Sequence, residues 1–206
     1  AYHFGMLGEQ DAVTEEMIFA DAAKAGLDVA KLKADMKDPA GDIRFRADLA
    51  GGALRDVGCY CVSLANYLAG EAPAQARGAG RFAASGVDEL FVGTLRFESG
   101  FLAAFDCGMV SPLEVGVEVT GTRGRAVVEM PWYAHLEPLS IRVDDAAGSE
   151  ELAAPGANAY QLEIDNFCAA VRGDEEPAIS ADETLRNLET LERLLAAART
   201  DRPVPA

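Results

Sequence analysis

The stretch from Gly51 to Leu68 reads GGALRDVGCYCVSLANYL. From about Asp56 its spacing predicts a helix, because residues three and four apart share one helical face. The predicted apolar face consists of Val57, Cys61, Leu64, Ala65 and Leu68. The predicted polar face consists of Asp56, Tyr60, Ser63 and Tyr67. A carboxylate and a phenol are therefore expected one turn apart at the start of this helix.

The glycines of the stretch admit a functional explanation. Gly58 lies inside the predicted helix, where glycine costs about 1 kcal/mol relative to alanine. A glycine kept there often lets a ligand or another backbone come close, and Gly51 and Gly52 add little bulk nearby. Two ordinary alternatives stand beside this one. Asp56 suits an N-cap, and Tyr60 suits a core position with its hydroxyl satisfied.

The run Gly-Gly-Ala-Leu-x-Asp-x-Gly-x-Tyr-Cys resembles the catalytic segment of the Gfo/Idh/MocA family of NAD(P)-dependent oxidoreductases. In that family the segment opens the first helix of the C-terminal, substrate-binding domain. The resemblance implies that Asp56 and Tyr60 are catalytic. Tyr60 stands where most members carry His, as in the branch that contains glucose–fructose oxidoreductase, xylose dehydrogenase and dihydrodiol dehydrogenase. The resemblance covers residues 41–206 and implies a sugar, polyol or dihydrodiol as substrate.

The residues after this stretch predict strands and then helices. Apolar and polar residues alternate in five segments, and residues 74–83 form a weaker candidate; the five are 90–98, 101–107, 115–119, 126–130 and 139–143. Short turns between them favour antiparallel pairing. Two helices follow, with apolar faces formed by Tyr160, Ile164, Phe167, Cys168 and Val171, and by Leu185, Leu188, Leu191 and Leu195. Ser180 and Glu183 form a capping box before the second. We predict an α+β fold, an open-faced, mostly antiparallel sheet with helices on one side.

Residues 1–40 predict a separate helical hairpin, with Thr14 as an N-cap and Asp28 at the second helix start. The segment resembles a late helical portion of DsbA-like thioredoxin-fold proteins. A generic helical hairpin is the alternative. We therefore expect two domains, residues 1–40 and 41–206. Thiol exchange is the least favoured function, because the sequence has no Cys-x-x-Cys pair.

The sequence lacks a dinucleotide fingerprint. Gly78-Ala-Gly80 is the nearest approach to Gly-x-Gly-x-x-Gly and is without the third glycine. The lysine of the family's Glu-Lys-Pro motif has no counterpart here. We therefore expect no cofactor in this chain, although the resemblance implies NAD or NADP for a full-length member. The chain, which begins at Ala1, is expected to be a fragment or fusion, to be inactive alone, and to expose an apolar surface where a nucleotide domain would pack.

The composition of the chain restricts the classes of molecule that it is expected to bind. The net charge of −16 disfavours nucleic acid and anionic membranes, and no apolar run approaches the ~20 residues of a membrane span. Four scattered cysteines and two distant histidines predict free thiols, no structural metal and a cytoplasmic location. The expected partners are a sugar-like small molecule and a second copy bound through the sheet face. A non-catalytic oligomerisation module is the competing function.

Overall fold

The computed structural model describes residues 15–35, 42–112, 114–133 and 138–200. Its helices are α1 (Glu15–Lys24), α2 (Val29–Asp35), α3 (Cys59–Ala69), α4 (Ala159–Arg172) and α5 (Ala181–Thr200). Its strands are β1 (Gln75–Phe82), β2 (Asp88–Arg96), β3 (Leu102–Gly108), β4 (Gly116–Gly121), β5 (Gly124–Glu129), β6 (Leu139–Asp145) and β7 (Gly148–Ala154). A π-helical turn, Leu54–Gly58, precedes α3, and 3-10 turns lie at Ile43–Phe45, Ala47–Leu49 and Pro131–Tyr133. The predicted α+β class is confirmed.

The strands divide into two antiparallel sheets, in the orders β1-β2-β3 and β4-β5-β6-β7. The chain likewise divides into two compact units, Ala1–Val110 with Asn187–Ala206, and Ser111–Arg186. Each sheet belongs to one unit. Within each sheet every strand pairs with its neighbour along the chain, as short turns require, whereas β3 and β4 belong to different sheets.

The first unit is built around the buried face of β2. Phe91, Leu95 and Phe97 are each 1% exposed, as the alternation of that segment predicts. They pack with residues from the segment before β1 and from α5; the buried cluster also contains Leu54, Val62, Ala65, Leu191, Leu194 and Leu195. Gly78 on β1 lies against this core, and a Cβ there would meet Cε1 of the Phe91 ring at 2.7 Å. Because Gly78 has no side chain, the Phe91 ring can occupy this space.

The second unit contains a strand that the sequence did not predict. β7 pairs with β6 in antiparallel register from Leu139↔Ala154 to Asp145↔Gly148. Its first six residues are all exposed, so it has no apolar and polar alternation that would mark it. The turn predicted at Gly121–Gly124 does connect β4 to β5.

Helix α4 ends at Gly173 as expected, with a φ of +77° there. Its predicted apolar face is nevertheless exposed: Tyr160 is 44%, Phe167 67% and Val171 71% accessible. Asn158 caps the helix by accepting a hydrogen bond from the Gln161 N–H at 3.1 Å. The apolar stripe therefore exists without a covering layer among the described residues.

Helix α5 begins at the predicted cap, where Ser180 Oγ accepts a hydrogen bond from the Glu183 N–H at 3.1 Å. Its buried face differs from the predicted stripe. Leu191 and Leu195 are buried, whereas Leu185 and Leu188 are 56% and 53% exposed. Leu194 joins the buried face instead, since it is three residues from Leu191 and adjacent to Leu195, on the side that faces β2.

The N-terminal helices α1 and α2 form a hairpin in which Phe19 is 7% exposed. Lys33 Nζ lies 4.4 Å from the centroid of the Phe19 ring, a cation–π contact. Thr14 lies outside the described residues. The domain boundary near residue 40 falls between the ranges 15–35 and 42–112, so it stays a prediction.

Candidate active site on a π-helical turn

The helical segment that carries Asp56 and Tyr60 starts earlier than predicted, and it starts as a π-helix. The turn Leu54–Gly58 precedes α3, and the Asp56 N–H donates to Gly52 O at 3.0 Å. Asp56 therefore lies inside the turn and is not the N-cap. Single π-turns inside helices frequently occur at functional sites.

The buried face of α3 overlaps only in part with the predicted apolar face. Val62, Ala65 and Asn66 face the core, whereas Leu68, which was predicted on the apolar face, is 45% exposed. Ala65 therefore belongs to both faces, and Leu68 was wrongly placed if the apolar face is taken as the buried one.

The polar face does reach solvent. Tyr60 is 52% exposed and Tyr67 is 73% exposed, while Asp56 is half-buried. Tyr60 is thus not a core residue, which removes the ordinary alternative for that position. A carboxylate and a phenol four residues apart lie in one continuous helical segment with access to water.

A buried carboxylate anchors the start of the turn. Asp88, the first residue of β2, is 2% exposed, and its Oδ2 accepts a hydrogen bond from the Leu54 N–H at 2.6 Å. This bond joins groups 34 residues apart in sequence. Sequence reasoning missed Asp88, because an acid at the start of an alternating strand gives no sign of its distant partner.

The glycines of the segment make room for the chain's own groups. A Cβ at Gly51 would meet Ile43 O at 2.6 Å, and one at Gly58 would meet Cys107 Sγ at 2.8 Å. Gly52 has a φ of +126°, and a Cβ there would overlap Asp88 Oδ1. The close approach inferred from the sequence is therefore satisfied by backbone and side chains of this protein.

Charged side chains flank the turn on both sides. Arg55 forms an ion pair with Glu192 of α5, with Nη2 and Oε1 2.6 Å apart. Arg44 bonds Asp42, with Nη2 and Oδ2 2.6 Å apart. The Asp42 carboxylate raises the pKa of the Arg44 guanidinium, and the charge of Asp56 adds to that effect. Asp56 therefore lies within electrostatic range of a positive charge.

The three cysteines near the turn are not reactive groups. Burial raises the pKa of Cys61 to about 11 and that of Cys107 to about 12, and it also raises the pKa of Cys59. The thiolate is the nucleophilic form, and a raised pKa disfavours that form at neutral pH. All four cysteines are free, and within the described ranges no three or more His, Cys, Asp or Glu side chains are arranged to hold a metal.

The nearest approach to a dinucleotide fingerprint has a different role. Gly78 and Gly80 lie within β1 and contact the ring of Phe91 through the space that a Cβ would fill. A phosphate-binding glycine loop instead joins a strand to a helix N-terminus. These two glycines do not fit a nucleotide. No helix in the described part of the chain is long and apolar enough to cross a membrane.

Known oxidoreductases are similar to this chain in sequence and in fold. The family model for the GFO/IDH/MocA C-terminal domain matches residues 28–127. This match starts within the segment 1–40 that the sequence assigned to a separate hairpin, and it includes the whole π-turn and α3. The solved structure of a 3-ketoreductase from Actinomadura kijaniata with NADP and TDP-benzene superimposes with a TM-score of 0.69 at 23% identity, over 78% of this chain and 50% of that chain.

Curated relatives are similar in sequence as well. A D-xylose 1-dehydrogenase (NADP(+)) of Haloferax volcanii is 28% identical over 80% of this chain and 51% of its own length. A dTDP-3,4-didehydro-2,6-dideoxy-alpha-D-glucose 3-reductase of Saccharopolyspora spinosa is 32% identical over 70% of this chain and 45% of its own length. A trans-1,2-dihydrobenzene-1,2-diol dehydrogenase of Danio rerio is 38% identical over 47% of this chain and 28% of its own length. The chain spans about half the length of the first two of these relatives.

Proposed function

We propose that this chain is the substrate-binding half of an NAD(P)-dependent oxidoreductase, because its residues 28–127 match the C-terminal domain of the GFO/IDH/MocA family. The proposed substrate is a sugar, a polyol or a dihydrodiol. Asp56 and Tyr60 are the proposed catalytic residues. The relatives' names support the substrate class, since they specify D-xylose, a deoxyglucose nucleotide and a dihydrobenzenediol.

The observation that carries the proposal is the placement of half-buried Asp56 on the anchored π-turn and of exposed Tyr60 in the first turn of α3, within one continuous helical segment. An ionised carboxylate only accepts hydrogen bonds, so Asp56 would receive one from a substrate hydroxyl and orient it. A phenol both donates and accepts, so Tyr60 would hold the oxygen that gains or loses a proton. Gly52 and Gly58 leave room for the Asp88 and Cys107 side chains to pack against the base of the turn.

We place the nicotinamide cofactor outside the described residues of this chain. The names of the similar proteins include NADP. In this chain, however, Gly78 and Gly80 make room for the Phe91 ring and do not suit a pyrophosphate. The contribution of these residues is therefore substrate binding, orientation and proton handling. These 206 residues on their own are proposed not to oxidise or reduce a substrate with NAD(P).

Nuclear magnetic resonance of the ¹⁵N-labelled chain tests the substrate site directly. We expect millimolar D-xylose, a pentitol or trans-1,2-dihydrobenzene-1,2-diol to shift the backbone amide signals of residues 54–63. Asp56→Ala and Tyr60→Phe are expected to raise the dissociation constant read from these shifts at least about tenfold, because each removes a group that bonds a hydroxyl. Tyr67→Phe is the matched control, since it removes an exposed phenol from the same helix.

Two results would overturn the proposal. Shifts spread evenly over the chain, or equal weakening by Tyr67→Phe, would show that the turn is not the binding site. The same samples incubated with NADP or NADPH should show no substrate-dependent change in nicotinamide fluorescence. A sustained change with pure chain would disprove the claim that the cofactor site lies elsewhere.

A second role, homodimerisation through a sheet face, is favoured by the outer face of β2 and β3. Val92 is 56% exposed and Leu102 is 69% exposed on neighbouring antiparallel strands. Apolar side chains in such a position suit a self-complementary interface. Light scattering should then give a dimer for the wild-type chain and a monomer for Leu102→Glu. A wild-type monomer would contradict this role.

A reducing, cytoplasmic location is proposed from the four free cysteines.

A further inference from the structure

We infer that Asp88 is a positioning residue for the proposed site: its buried carboxylate fixes the π-turn that carries Asp56 and leads into α3, where Tyr60 lies. This inference rests on the proposed function for its meaning, because the turn matters only if those two side chains act together. Its structural content is independent of any substrate. It concerns one buried side chain on β2 and one turn that begins far away in sequence.

The first argument is the cost of burying this group. Asp88 is 2% exposed, and removing a carboxylate from water is expensive unless hydrogen bonds compensate. Its Oδ2 accepts from the Leu54 N–H at 2.6 Å, a short bond typical of a charged acceptor. Leu54 is the first residue of the π-turn, where backbone N–H groups lack partners within the helix. The carboxylate thus supplies the cap that Asp56 does not.

The second argument is that Gly52 is shaped to this carboxylate. A Cβ at Gly52 would overlap Asp88 Oδ1, and the φ of +126° at Gly52 is one that residues with side chains rarely adopt. The Gly52 carbonyl in turn accepts from the Asp56 N–H at 3.0 Å. Gly52 therefore contacts the Asp88 carboxylate where a Cβ would stand, and it bonds the Asp56 N–H through its carbonyl oxygen.

The third argument is that the turn is held at several points, which leaves it one position. Arg55 is tied to Glu192, Gly58 packs against Cys107, and Leu54 is tied to Asp88. Of these three contacts, the Asp88 bond is the one made by a buried charge to the turn's own backbone. Loss of this contact should free the first residues of the turn while α3 keeps its packing through Val62 and Ala65.

Amide hydrogen exchange of the intact chain tests the inference, with Asp88→Ala and Asp88→Asn as variants. In Asp88→Ala the Leu54 and Asp56 amides should exchange at least about tenfold faster, as expected for a lost cap, while amides near Ala65 change far less. Asp88→Asn keeps an acceptor oxygen and should restore most of the protection. Asp106→Asn is the matched control, because it neutralises an exposed carboxylate on β3.

A merely structural role is separated by a readout at the proposed catalytic pair. Nuclear Overhauser contacts between the Asp56 β-protons and the Tyr60 ring should be present in the wild type, weaken in Asp88→Ala, and return in Asp88→Asn. Uniform acceleration of exchange throughout the first unit, or unchanged Asp56–Tyr60 contacts in Asp88→Ala, would overturn the inference. The experiment uses no substrate, so failure of ligand binding would refute the proposed function without affecting this result.

Discussion

Gly52→Ala should destabilise the protein far more than a typical glycine replacement. Two separate costs arise at this position. The φ of +126° belongs to a region that alanine avoids, at about 1–3 kcal/mol. The new methyl group would also displace the Asp88 carboxylate from the Leu54 N–H, and a lost hydrogen bond to a charged group costs about 1.5–3 kcal/mol. The expected loss is about 2.5–6 kcal/mol, a large share of the stability of an ordinary domain.

Urea unfolding followed by circular dichroism measures this loss, with Gly70→Ala as the matched control. Gly70 also has a positive φ, +70°, but nothing lies within 4 Å of a Cβ built there. Its replacement should therefore cost only the backbone term, roughly 1–2 kcal/mol. The difference between the two variants isolates the close approach to Asp88.

A double variant decides whether Asp88 is the cause. In an Asp88→Ala background the carboxylate is gone, so Gly52→Ala should cost only its backbone strain, about 1–3 kcal/mol. Equal losses for Gly52→Ala and Gly70→Ala would refute the reasoning. So would a Gly52→Ala loss that stays undiminished when Asp88 is alanine.

Two further predictions concern the core and the thiols. Phe91→Ala should cost about 3–5 kcal/mol in urea unfolding because its ring fills the space beside Gly78, whereas Val92→Ala, 56% exposed, should change stability by less than about 0.5 kcal/mol; similar losses would argue against the burial of β2 described here. Burial raises the pKa of Cys61 to about 11 and that of Cys107 to about 12 in the folded chain. The contribution of these two thiols to the free energy of unfolding should therefore be complete below the ordinary thiol pKa. It should fall as the pH rises towards the raised values, because the unfolded chain loses its thiol protons first. At pH 8 a thiol reagent should modify exposed Cys168 first, and rapid modification of Cys107 in the folded chain would contradict its burial.

The antiparallel α+β class and the main strands followed from local sequence. The alternation of Phe91, Leu95 and Phe97 with polar neighbours specified a buried face, because successive strand residues point to opposite sides. The cap at Ser180 and the stop at Gly173 were equally local. Strand β7 escaped prediction because its side chains are exposed on both faces, so no pattern distinguishes it from a loop.

The sequence identified the residues of the candidate site, but only the tertiary structure gave their surroundings. Asp56 and Tyr60 are four residues apart, and the sequence alone predicted that they share one helical segment. The anchoring of the π-turn was not readable, because the Asp88 carboxylate that accepts from the Leu54 N–H lies 34 residues away in sequence. The exposure of Leu68 was not readable either, because it depends on which elements pack against α3.

The sequence by itself determined which residue types stand together on one helical segment, since a period of 3.6 is a property of the backbone. Only the tertiary structure decided where that segment begins, which glycines admit neighbouring groups, and which carboxylate is buried. The physical reason is that a hydrogen bond between β2 and the turn needs both ends in place, and no local pattern records the far end of such a bond.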